Sequence, residues 1–358
     1  MKREILTVLA LLVACIGFAQ TSLVQYRPGM TAEGVVYYLP KTAIRVSVLV
    51  EKTTYQPGDF ARYAQRYLRL NDVSLEPATS YRVVSVQQTP VAIADTSKAY
   101  AVKFDIRTVA ANVQLSDAGC LLGINVNPIA QPAGPDVFQP APQRPMLNPR
   151  DLMNEEILAA GSTAKMAELT AQEIYDLREN RNLLIKGQAE FNPKDGEQLK
   201  VMLNELDERD RALTSLFKGV TMTDTTEHIL WVTPDGPFQR QVLFRLSQLD
   251  GLVDADDLSG APFYISIDDL STVPPVDPLA AQNKKKKTES GVYVNVPGQM
   301  RSTLYQGIDP MCTQEFPAPQ FGNVELLSGS LFNKRYTTHL WLNPLTGAVD
   351  RLQADQPK

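Results

Sequence analysis

Histidine and cysteine, two of the side chains that most often serve as catalytic bases and nucleophiles, are few in this chain. The chain has two histidines, His228 and His339, and three cysteines, Cys15, Cys120 and Cys312. Either imidazole could act as a general base, and with Cys120 or Cys312 it could form a nucleophilic pair. No sequence signature supports such a pair, and both histidines lie in alternating, strand-like stretches, where a structural role is the more common one. We predict no catalytic residue and expect a protein that is not an enzyme.

Metal and phosphate sites are not indicated either. The chain contains no His-x-x-x-His, no Cys-x-x-Cys and no acidic loop with the spacing of a calcium site. Gly119 and Gly123 flank a predicted strand, but no Lys-Ser or Lys-Thr pair follows them. The sequence therefore predicts no metal site and no cofactor.

The densest group of carboxylates lies between residues 254 and 269. It comprises Asp254, Asp256, Asp257, Asp268 and Asp269. Two carboxylates facing each other across a pocket at about 5–10 Å can hydrolyse a glycoside. The alternative function is therefore a secreted hydrolase, active on carbohydrate or peptide, that uses the Asp254–Asp269 carboxylates. Turn chemistry and solubility are the commoner reasons for aspartates in such a region.

The first nineteen residues indicate export. Lys2 and Arg3 form a basic start, Ile5–Phe18 is apolar, and the small residue Ala19 suits cleavage by a signal peptidase. The apolar run is too short to span a bilayer and is followed at once by polar chain. We predict a signal peptide at 1–19, with Gln20 as the first mature residue.

A lipidated N-terminus is the alternative. Residues 12–15 fit a bacterial lipobox, in which Cys15 would be diacylated and would anchor the chain to a membrane. We favour cleavage after Ala19 because only about ten apolar residues precede Cys15 and the residues after it are unusually apolar for a mature lipoprotein.

The charge of the mature chain argues against nucleic acid as a partner. Removing Lys2, Arg3 and Glu4 leaves 33 basic and 39 acidic residues, a net charge of −6. This dispersed, mildly acidic charge concentrates no positive potential along a groove. Cys120 and Cys312 remain after cleavage; in an oxidising compartment they could form a disulfide, and two separately buried thiols are the alternative.

Residues 20–127 read as a β-rich N-terminal domain with one helix. Alternating, β-branched residues predict a strand over 34–56. A helix follows from Asp59, with apolar residues at helical spacing. Residues 128–150 form a linker, because seven prolines without periodicity fit neither a sheet interior nor a helix.

Beyond the linker the apolar period changes from 2 to 3.6. Two stripes, one from Met166 to Leu184 and one from Leu199 to Phe217, predict a helical hairpin within 151–219. The hairpin could present a surface to a partner or simply pack against its own sheets; the stripes leave both open. Residues 220–358 return to period 2 and predict a β-sandwich-like domain. The fold class is α+β, with antiparallel β-rich N- and C-terminal domains and a central α-helical hairpin.

Several blocks resemble an exported family of Bacteroidota known only as a domain of unknown function. These blocks are GVVYYLPKTAIRVSV (34–48), EKTTYQPGDFARYAQRYLRL (51–70), ADTSKAYAV (94–102), PQFGNVELLSGSLFNKRYTT (319–338) and NPLTGAVDRL (343–352). The resemblance implies a Gram-negative envelope location and no established activity, so it supplies no catalytic or binding residues.

We therefore expect a non-enzymatic envelope protein that serves as a binding or assembly component in the periplasm or at the outer membrane. Its partner would be a protein or another envelope component, with peripheral outer-membrane contact as an additional expectation. Lys284–Lys287 could contact anionic lipid, although a solvated loop tip that resists aggregation is the favoured interpretation of four lysines.

Overall fold

A computed structural model describes residues 35–102, 112–129, 134, 138–140, 147–191, 193, 195–274, 291–332 and 337–355. The predicted signal peptide with Cys15, the tetralysine at 284–287 and most of the predicted linker lie outside the described residues.

Within the described residues the chain forms twelve strands and four α-helices. The strands are β1 Val35–Gln56, β2 Ala78–Val102, β3 Val113–Leu115, β4 Leu121–Ile124, β5 Val220–Val232, β6 Phe238–Ser247, β7 Gly251–Val253, β8 Ala261–Asp269, β9 Gly291–Gln306, β10 Asp309–Ser328, β11 Thr337–Leu342 and β12 Val349–Asp355. The helices are α1 Ala64–Leu68, α2 Glu155–Leu158, α3 Thr163–Ile185 and α4 Gly196–Lys218. The predicted α+β class is confirmed, with the helical hairpin α3–α4 between the β-rich regions.

The strands form three antiparallel sheets, with orders β2-β1-β5, β10-β9-β8-β6-β7 and β12-β11-β4-β3. The first two pack face to face as a sandwich, because each presents alternating apolar side chains to the other. Ile44, Val46 and Val48 of β1 meet Phe263 and Ile265 of β8 in its core.

Strand β1 serves two cores because it is 22 residues long and changes register at Tyr38/Leu39 and at Leu49/Val50. Its second half fills the sandwich, whereas Tyr37 and Leu39 pack with Leu340 of β11 in a smaller core against the third sheet. Tyr37 also bonds across to β9: its hydroxyl accepts from the Tyr293 N–H at 2.7 Å.

Strand pairing corrects the predicted division into separate β-rich domains. β5, from the segment 220–358, pairs along β1, from the segment 20–127. β4 of the N-terminal segment pairs with β11 of the C-terminal segment. The two segments therefore share sheets, because the strand that completes each sheet is supplied by a distant part of the chain.

The helices have a core of their own. Phe60 before α1, Ile157 of α2, Ile174 of α3 and Phe217 of α4 are all buried in one apolar cluster. Side-chain caps begin the two long helices: Ser162 Oγ accepts from the Lys165 N–H, and Asp195 accepts from the Glu197 N–H. The hairpin thus packs mainly against other helical segments and not against the sheets.

Candidate partner-binding surface

The two histidines do not form a catalytic site with the predicted partners. His228 lies on β5 opposite Val48, and its imidazole makes no hydrogen bond to a described residue. The Nδ1–H of His339 donates to the Asn125 carbonyl oxygen at 2.7 Å, and its Nε2 lies 3.4 Å from a carboxylate oxygen of Asp355. No thiol or hydroxyl completes a triad there among the described residues, so the contacts of His339 are those of a strand-tethering residue.

The carboxylates of 254–269 are not brought together. Asp254, Asp256 and Asp257 are exposed in the loop before β8, whereas Asp268 and Asp269 end that strand. Seven residues of β8 alone separate the two groups by more than about 20 Å. That separation exceeds the spacing of about 5–10 Å that paired glycosidase carboxylates require.

Cys120 and Cys312 are both free thiols. Cys120 is buried beside β4, where burial raises the pKa of its thiol, and Cys312 lies half-buried on β10 opposite Leu304. The two sit in different sheets and the pairing considered from sequence is not formed. Among the described residues no group of three or more His, Cys, Asp or Glu side chains is placed to hold a metal ion.

An ionic cluster that the sequence did not reveal lies on the outer face of the β2-β1-β5 sheet. Glu227 accepts hydrogen bonds from the Ser47 hydroxyl at 2.5 Å and from Arg45 Nη2 at 3.1 Å. The Ser47 hydrogen bond is the main cause of a lowered pKa for Glu227, and the backbone N–H of Phe138 contributes as well. Arg45 and Ser47 are each less than 10% exposed, so most of the cluster is shielded from solvent.

The helical hairpin has a buried base. We call residues 163–177 of α3 and 212–218 of α4 the hairpin base. The Phe60 and Phe217 rings pack there with centroids 5.4 Å apart. Gly58 lets the chain before α1 approach so closely that a Cβ atom would come within 2.1 Å of the Leu216 carbonyl oxygen. The base therefore anchors the hairpin firmly to the body of the protein.

Ion pairs join the two helices beyond the base. Arg178 contacts Asp210 at 3.1 Å, and Arg181 contacts Asp207 at 2.6 Å. The hydrogen bond with Asp207 raises the pKa of Arg181. These pairs fix the helices side by side where their apolar contacts become fewer.

The hairpin tip, residues 184–206, extends beyond these pairs. Fourteen residues of α4 separate Gly196 from Asp210, which corresponds to about 20 Å of helix. Three apolar side chains of the tip are more than half exposed: Ile185, Phe191 and Val201. Every residue of α4 that is fully buried lies in the base, at or after Ala212.

A cleft of about 470 Å³ opens at the tip between α3, α4 and their connection. It is lined by Asn180, Leu184, Ala189, Phe191, Val201, Met202, Glu205, Leu206 and Arg209. Its two charged residues neutralise each other, because Arg209 Nε donates to Glu205 at 3.0 Å. The cleft therefore presents an apolar and electrically neutral surface, suited to an apolar segment of another protein.

Some of the residues that line this cleft were predicted from sequence periodicity to be apolar stripe residues. Leu184, Met202 and Leu206 belong to the predicted stripes, where they were expected to pack. Phe191 and Val201 were missed, since Phe191 lies between the helices and Val201 lies outside the stripe. Neither residue had a signal in the sequence, because a single exposed apolar residue is common on protein surfaces and only its neighbours in the fold make it part of a patch.

The chain belongs to the DUF4831 family, a domain of unknown function, whose family model matches residues 33–350. No curated protein and no solved structure matches the chain. Within the residues that the structure describes, no helix combines the length and apolar character needed to cross a bilayer.

Proposed function

We propose that the protein is a non-enzymatic binding or assembly component of a bacterial cell envelope, and that its hairpin tip holds a protein partner. One observation carries the proposal: an apolar cleft lies at the projecting end of a hairpin whose base is buried and anchored. At the tip, the α4 stripe residues Met202 and Leu206 are only partly buried, whereas those of the base are buried.

The partner's chemistry follows from the cleft. Phe191 and Val201 are 63% and 66% exposed, so covering them would remove apolar surface from water. The Glu205–Arg209 pair leaves no net charge in the lining, which favours a neutral apolar segment, such as one face of an amphipathic helix. A volume of about 470 Å³ accommodates a few side chains of such a segment.

The envelope location rests on the N-terminal sequence. The basic start, the apolar run and Ala19 favour export with removal of residues 1–19, and the family resemblance favours a Gram-negative host. The intact mass of the protein purified from its native host tests this directly. A mature chain beginning at Gln20 is expected, a diacylated Cys15 would instead make it a lipoprotein, and a chain that retains Met1 in the cytosol would contradict export.

Site-specific photocrosslinking tests the tip. A photoreactive amino acid at Val201 should give one discrete protein adduct in living cells, and Phe191→Asp in the same chain should abolish it. Leu158 supplies the matched control, because it is 55% exposed in the same helical module but lies on α2. Crosslinking at Leu158 should not give that adduct, and Leu158→Asp should not affect the adduct formed at Val201.

One outcome would contradict the proposal. Adducts at Val201 that are no stronger or more discrete than those at Leu158 would show that the tip has no specific partner. Loss of the adduct in Phe191→Asp together with loss of folding would not count as support, so the thermal unfolding of each variant is measured alongside. The hydrolase alternative gains no support from the separated carboxylates.

A further inference from the structure

Three turns at one end of the five-stranded sheet each expose an aliphatic side chain. Leu249, Leu258 and Ile308 are 82%, 81% and 83% exposed. Leu249 lies between β6 and β7, Leu258 between β7 and β8, and Ile308 between β9 and β10. We call residues 248–250, 254–260 and 307–309 the braced end.

The strand register puts these turns at the same end. Leu246 of β6 pairs with Ala261 of β8, so the loops beyond them leave the sheet together. Phe263 of β8 pairs with Gln306, the last residue of β9, two residues before Ile308. Neighbouring strands are about 4.8 Å apart, so the turns form a row about 15–20 Å long across β7, β6, β8, β9 and β10.

The turn that carries Leu249 is held by a side chain. Ser247 Oγ accepts from the N–H groups of Leu249 and Asp250, at 3.2 and 3.3 Å. Ser247 is buried and is the last residue of β6, so the turn is held by a side chain that is itself fixed in the sheet.

The loop that carries Leu258 is held from β6. Arg245 Nε donates to the Ala255 carbonyl oxygen at 2.8 Å, and its Nη1 donates to the Gly260 carbonyl oxygen at 3.2 Å. Within the loop, the Asp257 carboxylate accepts from the Ser259 N–H at 2.9 Å. One arginine thus ties both ends of the loop.

The turn that carries Ile308 is held by Arg240, which has a left-handed backbone (φ 51°) where the β6–β8 register is interrupted. An irregularity of this kind redirects a side chain. The guanidinium lies over the rings of Tyr264 and Tyr305, 4.8 and 5.3 Å from their centroids, and Nη2 donates to the Gly307 carbonyl oxygen at 2.5 Å. A backbone conformation that L-residues rarely adopt is thereby used to fix one turn.

These turns are held in place by hydrogen bonds while their aliphatic side chains remain exposed, so the surface is preorganised for binding. Ordering a loop before binding removes an entropic cost from association. A depression of about 770 Å³ beside Ile308, lined in part by Tyr264 and Met311, adds apolar surface.

Charge identifies the occupant. The braced end contains five aspartates, at 250, 254, 256, 257 and 309, against the two arginines, Arg240 and Arg245, that reach it from β6, so its net charge is negative. We propose that the braced end docks a protein whose surface offers apolar sockets surrounded by lysine and arginine. An anionic bilayer is disfavoured by the same carboxylates, and the neutral cleft at the hairpin tip is a chemically different surface, so this proposal goes beyond the proposed function.

Photocrosslinking in the native host, with the full chain, tests the docking. Photoreactive residues at Leu258 and at Ile308 should give the same protein adduct, and mass spectrometry should locate the crosslinks at apolar residues flanked by lysine or arginine. Val84 is the control, since it is exposed on β2 and lies in the other sheet of the sandwich.

The purified pair then gives quantitative tests. Ile308→Asp should raise the Kd at least tenfold, because it places a charge in an apolar socket. Asp256→Asn with Asp257→Asn should slow association severalfold and flatten its dependence on salt, as loss of electrostatic steering does. Val201→Asp at the hairpin tip should leave this Kd unchanged. The proposals for the braced end and for the hairpin tip are therefore tested independently.

Several results would overturn the proposal. Adducts at 258 and 308 that are no more discrete than those at Val84 would show that the braced end has no specific partner. Crosslinks to lipid, or co-flotation with phosphatidylethanolamine–phosphatidylglycerol vesicles that Ile308→Asp abolishes, would assign the surface to a membrane instead. The proposal would also be contradicted if the crosslinked site on the partner had no basic residues, or if the crosslinked protein were a second copy of this chain. Thermal unfolding of each variant must match the unsubstituted protein for any of these results to be counted.

Discussion

The base and the tip of the hairpin belong to the same two helices, yet they differ in what surrounds their apolar residues. At the base, Phe217 is fully buried and Phe60 packs on its ring. At the tip, Phe191 and Val201 face solvent beside an open cleft. The difference teaches that an apolar stripe becomes core only where other segments, here those before α1 and around α2, are present to cover it.

The largest expected difference in stability is between two variants that each lose an aromatic ring, one at the base and one at the tip. Phe217→Ala should lower the free energy of unfolding by about 3–5 kcal/mol, because it leaves a cavity in a closed core. Phe191→Ala should change it by no more than about 0.5 kcal/mol, since its ring is largely in water. Chemical denaturation of both variants measures the two values. Similar losses at both positions would show that the tip is as much a part of the core as the base.

Two glycine substitutions test whether the backbone is tightly packed at the base and open at the tip. Gly58→Ala should cost about 1–3 kcal/mol, because its Cβ would overlap the Leu216 carbonyl oxygen. Gly196 begins α4 at the tip and has nothing within 4 Å of its Cβ position, so Gly196→Ala should be neutral or should stabilise by up to about 1 kcal/mol. Thermal melts compare the pair. An equally stable Gly58→Ala protein would mean that the joint at the base is loose.

Removal of the helix caps should separate global from local unfolding. Ser162→Ala, at the base end of α3, should lower stability by about 1 kcal/mol. Asp195→Ala, at the tip end of α4, should instead speed amide hydrogen exchange in the first turns of α4 and leave exchange in the base unchanged. If Asp195→Ala accelerated exchange at the base as well, the hairpin would open as one cooperative unit.

The smallest effect is expected for the ion pairs that join α3 and α4 between the base and the tip. A double-mutant cycle with Arg178→Met and Asp210→Asn should give a coupling of about 0.2–1 kcal/mol, the usual range for a partly exposed ion pair. The coupling should shrink in high salt because screening weakens such pairs. A coupling well above that range would make the middle of the hairpin a stabilising centre and not a boundary.

Much of the fold was predictable from local patterns. The alternation over 34–56 predicted β1, and the stripes from Met166 and from Leu199 predicted α3 and α4. The sheet order was not predictable, because pairing of β1 with β5 and of β4 with β11 joins residues far apart in sequence. The length of β2, Ala78–Val102, is likewise a tertiary property, because β1 is long enough to pair along nearly all of it.

The candidate surfaces were less predictable than the fold. The helical hairpin was recognised as an element that could present a surface, and the structure shows an exposed apolar cleft at its tip, lined in part by Phe191 and Val201. The braced end was seen only as an acidic region around Asp254–Asp257. Leu249, Leu258 and Ile308 carry no periodic pattern, and only the register of four strands makes them neighbours.

By itself, the sequence determined where the strands and long helices lie, since those depend on side-chain spacing within one segment. It also determined that the chain has only two histidines and three cysteines. Only the tertiary structure decided which apolar side chains are covered and which stay in water, and which of the carboxylates are neighbours. The physical reason is that periodicity is a property of one segment, whereas burial and proximity depend on what distant segments bring to it.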